Sequence, residues 1–290
     1  MLVRDGTHEL PFAVAVLART LIVTGLPDAT AVEVSAQVGA LLHRRSTSVV
    51  GIEDVRTATG DVLAERGETE VLRRLRARWW LRATRQPVVI AIGGTSGVGK
   101  SSVAAGAADV LGIDQVLSTD LVRAVLRGTL NPDLIPALSE SSFSAQRMLR
   151  SNTEGNRLLI AFEQQAAIVE QATVSLARRA LKEGMQLVLE GVHVVPGLVA
   201  VPDGWPLFSY VLTVPDVSEH ERRFTARFAT SDRDPQHYLS RIRAIRELDE
   251  YIVAHSRHAG IPVIESTRPD RTVYEMVGAI ASDLEGTFGL

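Results

Sequence analysis

The hydrophobic residues follow different patterns on the two sides of residue 87. Before it, apolar side chains recur every three or four residues, as on helices, after a short hairpin turned by Arg4-Asp5-Gly6. We expect one helix opened by Pro11-Phe12 and further helices around residues 34–41, 52–65 and 72–79. The amino-terminal part of the chain is therefore predicted to be mainly helical.

From Pro87 onwards, short apolar runs alternate with helical stretches. The first run, Val88–Ile92, is continuous and rich in β-branched residues, which is typical of a strand covered on both faces. Further strands are predicted at residues 116–118, 187–189, 210–214 and 261–264, and the longest helix at about 157–182. This alternation predicts an α/β fold, a parallel sheet flanked by helices. We therefore predict two domains, 1–86 and 87–290.

A glycine-rich stretch directly follows the first strand of this sheet. Residues Gly94-Thr95-Ser96-Gly97-Val98-Gly99-Lys100-Ser101, the nucleotide loop, match G-x-x-x-x-G-K-[ST] ahead of a predicted helix that includes Ser102. In a P-loop of this kind, backbone N–H groups surround phosphates, the lysine reaches the β- and γ-phosphates, and the serine can ligate Mg²⁺. We predict ATP binding by residues 94–102, catalysis by Lys100 and metal binding by Ser101. The alternative is an ordinary glycine-rich turn.

Asp120 follows the second strand, so it should project at the carboxyl edge of the sheet, where folds of this kind bind ligands. There it would orient or deprotonate an acceptor hydroxyl and approach Mg²⁺, whereas the alternative is a helix cap alone. Arg123 and Arg127 lie four residues apart on the next helix, and an anionic acceptor between them would offset their repulsion. A solvated helix face is the alternative for this pair.

Two further residues complete the predicted acceptor side. Glu190 ends an apolar strand, as does the acid of a Walker B element that holds Mg²⁺ or its water. An ordinary acid at a strand end is the alternative. His193 is a candidate contact of the acceptor, although a lone histidine is more often structural.

An arginine-rich segment follows the fourth strand. Arg222, Arg223 and Arg227 lie on one predicted helix and Arg233 in the loop after it, where small-molecule kinases often close a lid. Guanidinium groups there would neutralise charge on the transferred phosphoryl group, so Arg223 and Arg227 are candidate catalytic residues. Acidic residues between these arginines make ordinary surface ion pairing the competing interpretation.

The composition limits the kinds of site, binding partner and cellular location that we expect. Hydrophobic residues make up 46% of the 290 residues, enough to bury a core, and there is no cysteine for disulfides or thiolate sites. A net charge of -3 predicts no overall attraction to nucleic acid or to an anionic membrane. No segment reaches the roughly 18 uninterrupted apolar residues of a membrane span, and the charged amino terminus is unlike a signal peptide. We expect a cytoplasmic protein, and the sequence leaves a homo-oligomer open.

Several segments together resemble the 2-phosphoglycerate kinase family. In chain order they are GGTSGVGKSS, STDLVRAVLR, ESSFSA, LVLEGVHVVPG, the arginine segment and RELDEYIVAHSRHAGIPVIES, over about residues 88–266. The resemblance implies a P-loop kinase that transfers the γ-phosphate of ATP, with Mg²⁺, to the 3-hydroxyl of 2-phosphoglycerate, giving 2,3-bisphosphoglycerate. The residues that match the family's nucleotide loop and its STD-x-x-R and EG-x-H segments are Gly94, Gly99, Lys100, Ser101, Asp120, Arg123, Glu190 and His193.

The amino-terminal part resembles an ATP-cone, a small nucleotide-sensing domain. The resemblance rests on Val3-Arg4-Asp5-Gly6, Pro11-Phe12 and Gly25. An arginine run between Arg73 and Arg85 would face a polyanion or, alternatively, form a solvated helix face.

Three functional hypotheses follow from these patterns. The first is a kinase of 2-phosphoglycerate or of another small anionic metabolite. The second is a nucleotide-responsive regulatory protein acting on a protein partner, which the combination of acid, lysine and arginines disfavours. The third, a polynucleotide kinase, is disfavoured by an isoelectric point near 6.2 and by the lack of a clear aromatic and basic groove.

Overall fold

The structure is a computed structural model that describes residues 1–45, 48–131, 135–149, 153–195, 206–228 and 238–290, with the side chains of residues 45, 227 and 228 left out. The chain divides into two compact units. The first comprises Met1–Ala83, Asp109–Gly112 and Val277–Leu290, and the second comprises Thr84–Ala108 and Ile113–Met276. The domain boundary predicted at residue 87 stays a prediction.

A three-stranded sheet and several helices form the first unit. Strands β1 (Leu2–Asp5) and β2 (His8–Pro11) make the predicted antiparallel hairpin, and β3 (Val49–Gly51) pairs parallel to β1. The helices of this part of the chain are α1 (Val14–Val23), α2 (Asp28–Arg45), α3 (Ile52–Glu65) and α4 (Thr69–Thr84). Apolar residues at helical spacing, among them Leu21, Val38 and Leu75, are fully buried together.

Two details of this unit differ from the sequence-based expectation. Pro11 does not open α1 but ends β2, where it lies opposite Leu2. The strand order β2-β1-β3 makes β2 an edge strand, and an edge tolerates a proline because no second strand needs its missing N–H. Strand β3 was not predicted, because three residues are too few to show a hydrophobic alternation.

The second unit is built on a five-stranded parallel sheet. Its strands are β4 (Val88–Gly93), β5 (Gln115–Ser118), β6 (Gln186–Glu190), β7 (Leu207–Thr213) and β8 (Val263–Glu265). They are arranged in the order β5-β6-β4-β7-β8, with every pair parallel. The central strand β4 is buried along its whole length, which explains its uninterrupted apolar sequence. The predicted parallel α/β architecture is confirmed.

Helices alternate with these strands. In chain order they are α5 (Lys100–Leu111), α6 (Thr119–Thr129), α7 (Arg157–Lys182), α8 (Val217–Phe228), α9 (Ile242–His258) and α10 (Pro269–Phe288). None of the helices in the described ranges is both long enough and apolar enough to cross a membrane.

Helix α7 has the bounds that the sequence predicts. The side chain of Asn156 accepts hydrogen bonds from the N–H groups of Leu158 (3.1 Å) and Leu159 (3.2 Å), which caps its start. Gly184, at φ +73°, follows its end and adopts a left-handed conformation that favours glycine. Ala177 on its apolar face packs in one cluster with residues of β4 and β6, so the helix covers part of the sheet.

The strand order places a ligand crevice at the end of β4. After β4 the chain continues to β5 on one side of the sheet, and it later enters β7 on the other side. Crevices of α/β sheets open at such a reversal, at the carboxyl ends of the strands. The nucleotide loop begins at this point.

Candidate active site

The nucleotide loop has the backbone that an anion site requires. Gly94, Gly97 and Gly99 have φ angles of +134°, +86° and +94°, a region that other residues rarely adopt. A β-carbon on Gly94 would lie 2.4 Å from the carbonyl oxygen of Leu212, and one on Gly97 would lie 2.5 Å from the ring of Phe224. Both conformation and packing therefore demand glycine, and the loop leads into α5, whose amino terminus favours anions.

A cleft of about 930 Å³ opens over this loop. Its lining includes Lys100, Asp120 and Glu190, and it extends to Arg222 and Arg223 of α8 and to Thr267-Arg268-Pro269. The nucleotide-loop residues that also line it are Ser96, Gly97, Gly99, Ser101 and the following Ser102. The remaining predicted nucleotide-binding residues, Gly94, Thr95 and Val98, are buried and do not line the cleft.

Lys100 and Ser101 begin α5 and have separate partners. Lys100 is only 8% exposed, and its Nζ donates to the carbonyl oxygen of Thr95 at 2.7 Å. Ser101 Oγ donates to Glu190 Oε1 at 3.1 Å, which joins the start of α5 to the end of β6. Glu190 reaches this position because it lies in register with Ile92, near the end of β4. A hydroxyl and a carboxylate are oxygen ligands of the kind that Mg²⁺ takes beside phosphate oxygens, so the pair fits this ion.

Asp120 lies on the first turn of α6 and faces the cleft. Its side chain is 62% exposed, and its Oδ1 lies 4.0 Å from both Arg123 Nε and His193 Nδ1. No side chain hydrogen bonds as a cap at Ser118, the residue that precedes α6. The carboxylate is therefore available to a molecule in the cleft.

Arg123 has its own backbone partners away from the cleft. Its Nη1 donates to the carbonyl oxygens of Leu138 (3.2 Å) and Glu140 (2.8 Å), so this guanidinium holds the 138–140 segment. Arg127 is exposed, and neither arginine lines the cleft. The contact of both residues with the acceptor therefore stays a prediction.

His193 is buried behind the cleft and not exposed to it. The residue is 1% exposed, with Nδ1 3.2 Å from Thr119 Oγ1 and Nε2 3.0 Å from Gln165 Oε1. Because Gln165 Nε2 donates to the carbonyl of Glu140 at 2.9 Å, Gln165 Oε1 accepts from His193 Nε2–H. The structure thus makes His193 a support of the segment around Glu140, and its direct contact with the acceptor stays a prediction.

Sequence reasoning missed Gln165 and the reason for Gly191. Gln165 is fully buried on the apolar face of α7, and a glutamine among apolar residues at helical spacing is the signal that pointed to a buried polar network. A β-carbon on Gly191 would lie 1.7 Å from Thr119 Oγ1, so only glycine lets the hydroxyl of Thr119 reach His193.

The buried state of His193 predicts a dependence of stability on pH. Burial lowers the pKa of His193 to about 4, against about 6.5 in an unfolded chain. Between these values the unfolded chain binds a proton that the native protein does not, so stability is complete above about pH 6.5 and is lost as pH falls toward 4. From pH 7 to pH 5, His193 should therefore lower the free energy of unfolding by about 2 kcal/mol.

Urea unfolding of the wild type and of His193→Gln at pH 5 and pH 7 checks this prediction. The glutamine keeps an amide for hydrogen bonding but does not titrate, so we expect a smaller difference between the two pH values in the variant. Equal differences in both proteins would contradict the assignment of this pH dependence of stability to His193.

The α8 arginines have different environments. Arg223 donates from Nε to Glu219 Oε1, from Nη1 to Ser266 Oγ and from Nη2 to the carbonyl oxygen of Ser266, each at 2.8 Å. Arg222 is largely exposed and donates to Glu219 Oε2 at 2.7 Å. Hydrogen bonds from both arginines lower the pKa of Glu219 to about 2. Both guanidinium groups border the cleft, and both are ion-paired with Glu219. The lid interpretation and the surface ion-pair interpretation therefore each have structural support.

The other two arginines of this segment fall outside the described side chains. Arg227 lies within α8, but its side chain is not among the described residues, and Arg233 lies in the undescribed range 229–237. Their predicted roles in a lid, and the catalytic role of Arg227, stay predictions.

Comparison with known proteins finds relatives along nearly the whole chain, although no protein-family model matches it. The chain is 34% identical over 289 residues to a 2-phosphoglycerate kinase of Methanocaldococcus jannaschii, which covers 98% of this chain and 92% of that protein. It is 33% identical over 270 residues to a 2-phosphoglycerate kinase of Pyrococcus furiosus, which covers 93% of this chain and 89% of that protein.

Solved structures of other kinases are more distant. A gluconokinase from Sinorhizobium meliloti 1021 matches 70% of this chain and 98% of its own, with a TM-score of 0.41 and 16% identity. A shikimate kinase from Acinetobacter baumannii matches 70% of this chain and 97% of its own, with a TM-score of 0.42 and 13% identity. The sequence relatives are the stronger finding, and on their identity and coverage the chain belongs to the 2-phosphoglycerate kinase family.

Proposed function

We propose that this chain transfers the γ-phosphate of ATP to the hydroxyl of 2-phosphoglycerate, producing 2,3-bisphosphoglycerate and ADP. One observation carries the proposal: a single cleft is bordered by the Asp120 carboxylate, the Lys100 ammonium and the Ser101–Glu190 pair. The names of the relatives support the choice of acceptor.

The nucleotide loop would hold the phosphates of ATP through its backbone N–H groups, with Lys100 at the β- and γ-phosphates. Ser101 and Glu190 would hold Mg²⁺, which when bound neutralises negative charge on the phosphate oxygens. Arg222 and Arg223 add positive charge to the part of the cleft that extends away from the loop. Together these groups would hold ATP, the phosphoryl donor, in position before the acceptor reacts.

Asp120 would position the acceptor hydroxyl and accept its proton. The hydroxyl oxygen forms a bond to the γ-phosphorus, while the bond between that phosphorus and the oxygen of the leaving ADP breaks. Lys100 would stabilise the charge that develops on the phosphoryl oxygens and on ADP. Arg123 and His193 would act indirectly, because both lie 4.0 Å from Asp120 Oδ1 and hold the segment around Glu140.

The amino-terminal region, residues 1–86, enters this proposal as an ATP-cone-like domain. Its hairpin and its helices support that choice. Phosphoryl transfer itself requires only residues of the second unit.

An acceptor panel tests the proposed function. Release of ADP from MgATP is measured with 2-phosphoglycerate, 3-phosphoglycerate, glycerate, gluconate and shikimate, each against a reaction without acceptor. We expect ADP release to depend on 2-phosphoglycerate. If ADP is released only with a different acid, that acid would be the acceptor in place of 2-phosphoglycerate. Tight MgATP binding without turnover on any acid would favour a regulatory protein.

A further inference from the structure

A buried histidine outside the predicted site contacts the nucleotide loop. His220 of α8 is 0% exposed, and its Nε2 lies 2.8 Å from the carbonyl oxygen of Ser96. Because a carbonyl oxygen only accepts hydrogen bonds, Nε2 carries the proton. Nδ1 lies 3.4 Å from Nη1 of Arg246, which only donates, so Nδ1 accepts. A single neutral tautomer satisfies both contacts.

Arg246 of α9 holds this histidine in place. The guanidinium of Arg246 also donates to the carbonyl oxygens of Val214 and Pro215, just after β7. Asp249, which is 3% exposed, has Oδ2 3.6 Å from Arg246 Nη1 and accepts from Thr213 Oγ1 at 2.7 Å. A continuous set of polar contacts therefore joins the end of β7 to the nucleotide loop.

The peptide bond between Ser96 and Gly97 links the His220–Ser96 contact to the direction of the Gly97 N–H group. The described residues contain no cis peptide bond, and in a trans peptide the C=O and N–H groups point in opposite directions. Since the C=O of Ser96 accepts a hydrogen bond from His220, the N–H of Gly97 points away from His220. Gly97 borders the cleft, so its N–H is available there to a phosphate oxygen.

Packing keeps the imidazole against the loop. A β-carbon on Gly97 would lie 2.9 Å from His220 Nε2, so no side chain fits between them. Phe224 stacks on the imidazole with ring centroids 5.2 Å apart. Burial lowers the pKa of His220, the hydrogen bond to Ser96 raises it, and the charge of Arg246 lowers it, with a net downward shift. The ring therefore stays neutral near pH 7, as its two contacts require.

We propose that His220, held by Arg246 and Asp249, is a positioning residue that aims the Gly97 N–H at a phosphate of the bound nucleotide. The inference rests on the proposed function in taking ATP as the ligand, and it is independent of the acceptor. It also gives a role to the polar residues of the segment Arg246–Asp249, which does not line the cleft.

Calorimetry of MgATP binding to the full chain, without any acceptor, tests this inference. His220→Leu removes the donor and should weaken MgATP binding about tenfold, because the Ser96 carbonyl is left without its partner. His220→Gln retains an N–H donor and should weaken binding less. Thr225→Ala, an exposed position on the same helix that does not line the cleft, should bind as the wild type does.

The outcomes separate this inference from the proposed function. Equal affinity of the wild type and His220→Leu would overturn the positioning role, even if 2-phosphoglycerate is phosphorylated. Conversely, a wild type that binds MgATP but does not act on 2-phosphoglycerate would overturn only the acceptor. Where turnover is measured, we expect His220→Gln to raise the KM for ATP and to leave the KM for the acceptor unchanged.

Nitrogen NMR of the wild-type histidines provides a test that needs no folded leucine variant. The His220 signals are identified by their loss in His220→Gln. We expect a neutral ring protonated at Nε2 at pH 7, as the Ser96 and Arg246 contacts require. A ring protonated at Nδ1, or a charged ring, would overturn the inference.

Discussion

Replacing Lys100 with alanine should lower kcat for phosphoryl transfer about a thousandfold. Lys100 is the largely buried cation at the start of α5, and its Nζ lies 2.7 Å from the Thr95 carbonyl of the nucleotide loop. Because Lys100 is largely buried, its charge stabilises phosphate oxygens more than a surface charge would. The measurement is steady-state kinetics with MgATP and 2-phosphoglycerate, together with thermal unfolding to show that the variant folds.

Lys182→Ala provides a matched control for this variant. Lys182 is an exposed lysine at the end of α7 and does not line the cleft, so its removal should leave kcat unchanged. A Lys100→Ala protein that is folded and retains a tenth or more of the wild-type kcat would contradict a catalytic nucleotide loop.

Replacing Asp120 with asparagine should lower kcat by about a hundredfold to ten-thousandfold. Asparagine keeps the shape of the side chain but accepts no proton from the acceptor hydroxyl. Because Asp120 lies on α6 and outside the nucleotide loop, the KM for ATP should change by no more than about twofold. Initial rates with each substrate varied in turn separate these two effects.

Asp114→Asn is the control for that charge removal. Asp114 is exposed in the connection between α5 and β5 and does not line the cleft, so its kinetics should equal those of the wild type. If Asp120 served only the dipole of α6, Asp120→Asn would lose at most about 1 kcal/mol of stability and would keep its kcat. That outcome would exclude Asp120 from the chemistry.

Local patterns were sufficient to predict the nucleotide loop and its neighbouring elements. A buried strand followed by G-x-x-x-x-G-K-[ST] specifies the backbone directly, because the glycine conformations are local properties. The bounds of α7 could likewise be predicted, since its apolar spacing and Gly184 are visible in the sequence. The pairing of Ser101 with Glu190 depends on the parallel register between β4 and β6, and the strand predictions gave neither this pairing nor its register.

The buried polar contacts were beyond sequence reasoning because their partners are distant along the chain. His193 and Gln165 meet only because α7 packs beside the loop after β6, and they are separated by 28 residues. His220 contacts Ser96 across 124 residues. The spacing of residues along the chain does not predict which polar side chain faces the cleft and which is buried. That depends on how the sheet and the helices pack.

The direct roles assigned to Arg123 and His193 illustrate this limit. Both match family segments, and both lie within 4.0 Å of the Asp120 carboxylate. Their hydrogen-bonding atoms nevertheless reach the 138–140 segment, directly or through Gln165. The contacts give these side chains a structural role in holding the 138–140 segment, and their direct roles at the acceptor stay predictions.

Phosphorus NMR of the complete reaction tests most directly whether the γ-phosphate passes to 2-phosphoglycerate. In a mixture of protein, MgATP and 2-phosphoglycerate, we expect the single phosphomonoester signal to be replaced by two signals of equal intensity from 2,3-bisphosphoglycerate. ADP should appear in equal amount, without free phosphate. Formation of ADP and inorganic phosphate at the same rate with and without 2-phosphoglycerate, and no second phosphomonoester signal, would contradict the proposed transfer.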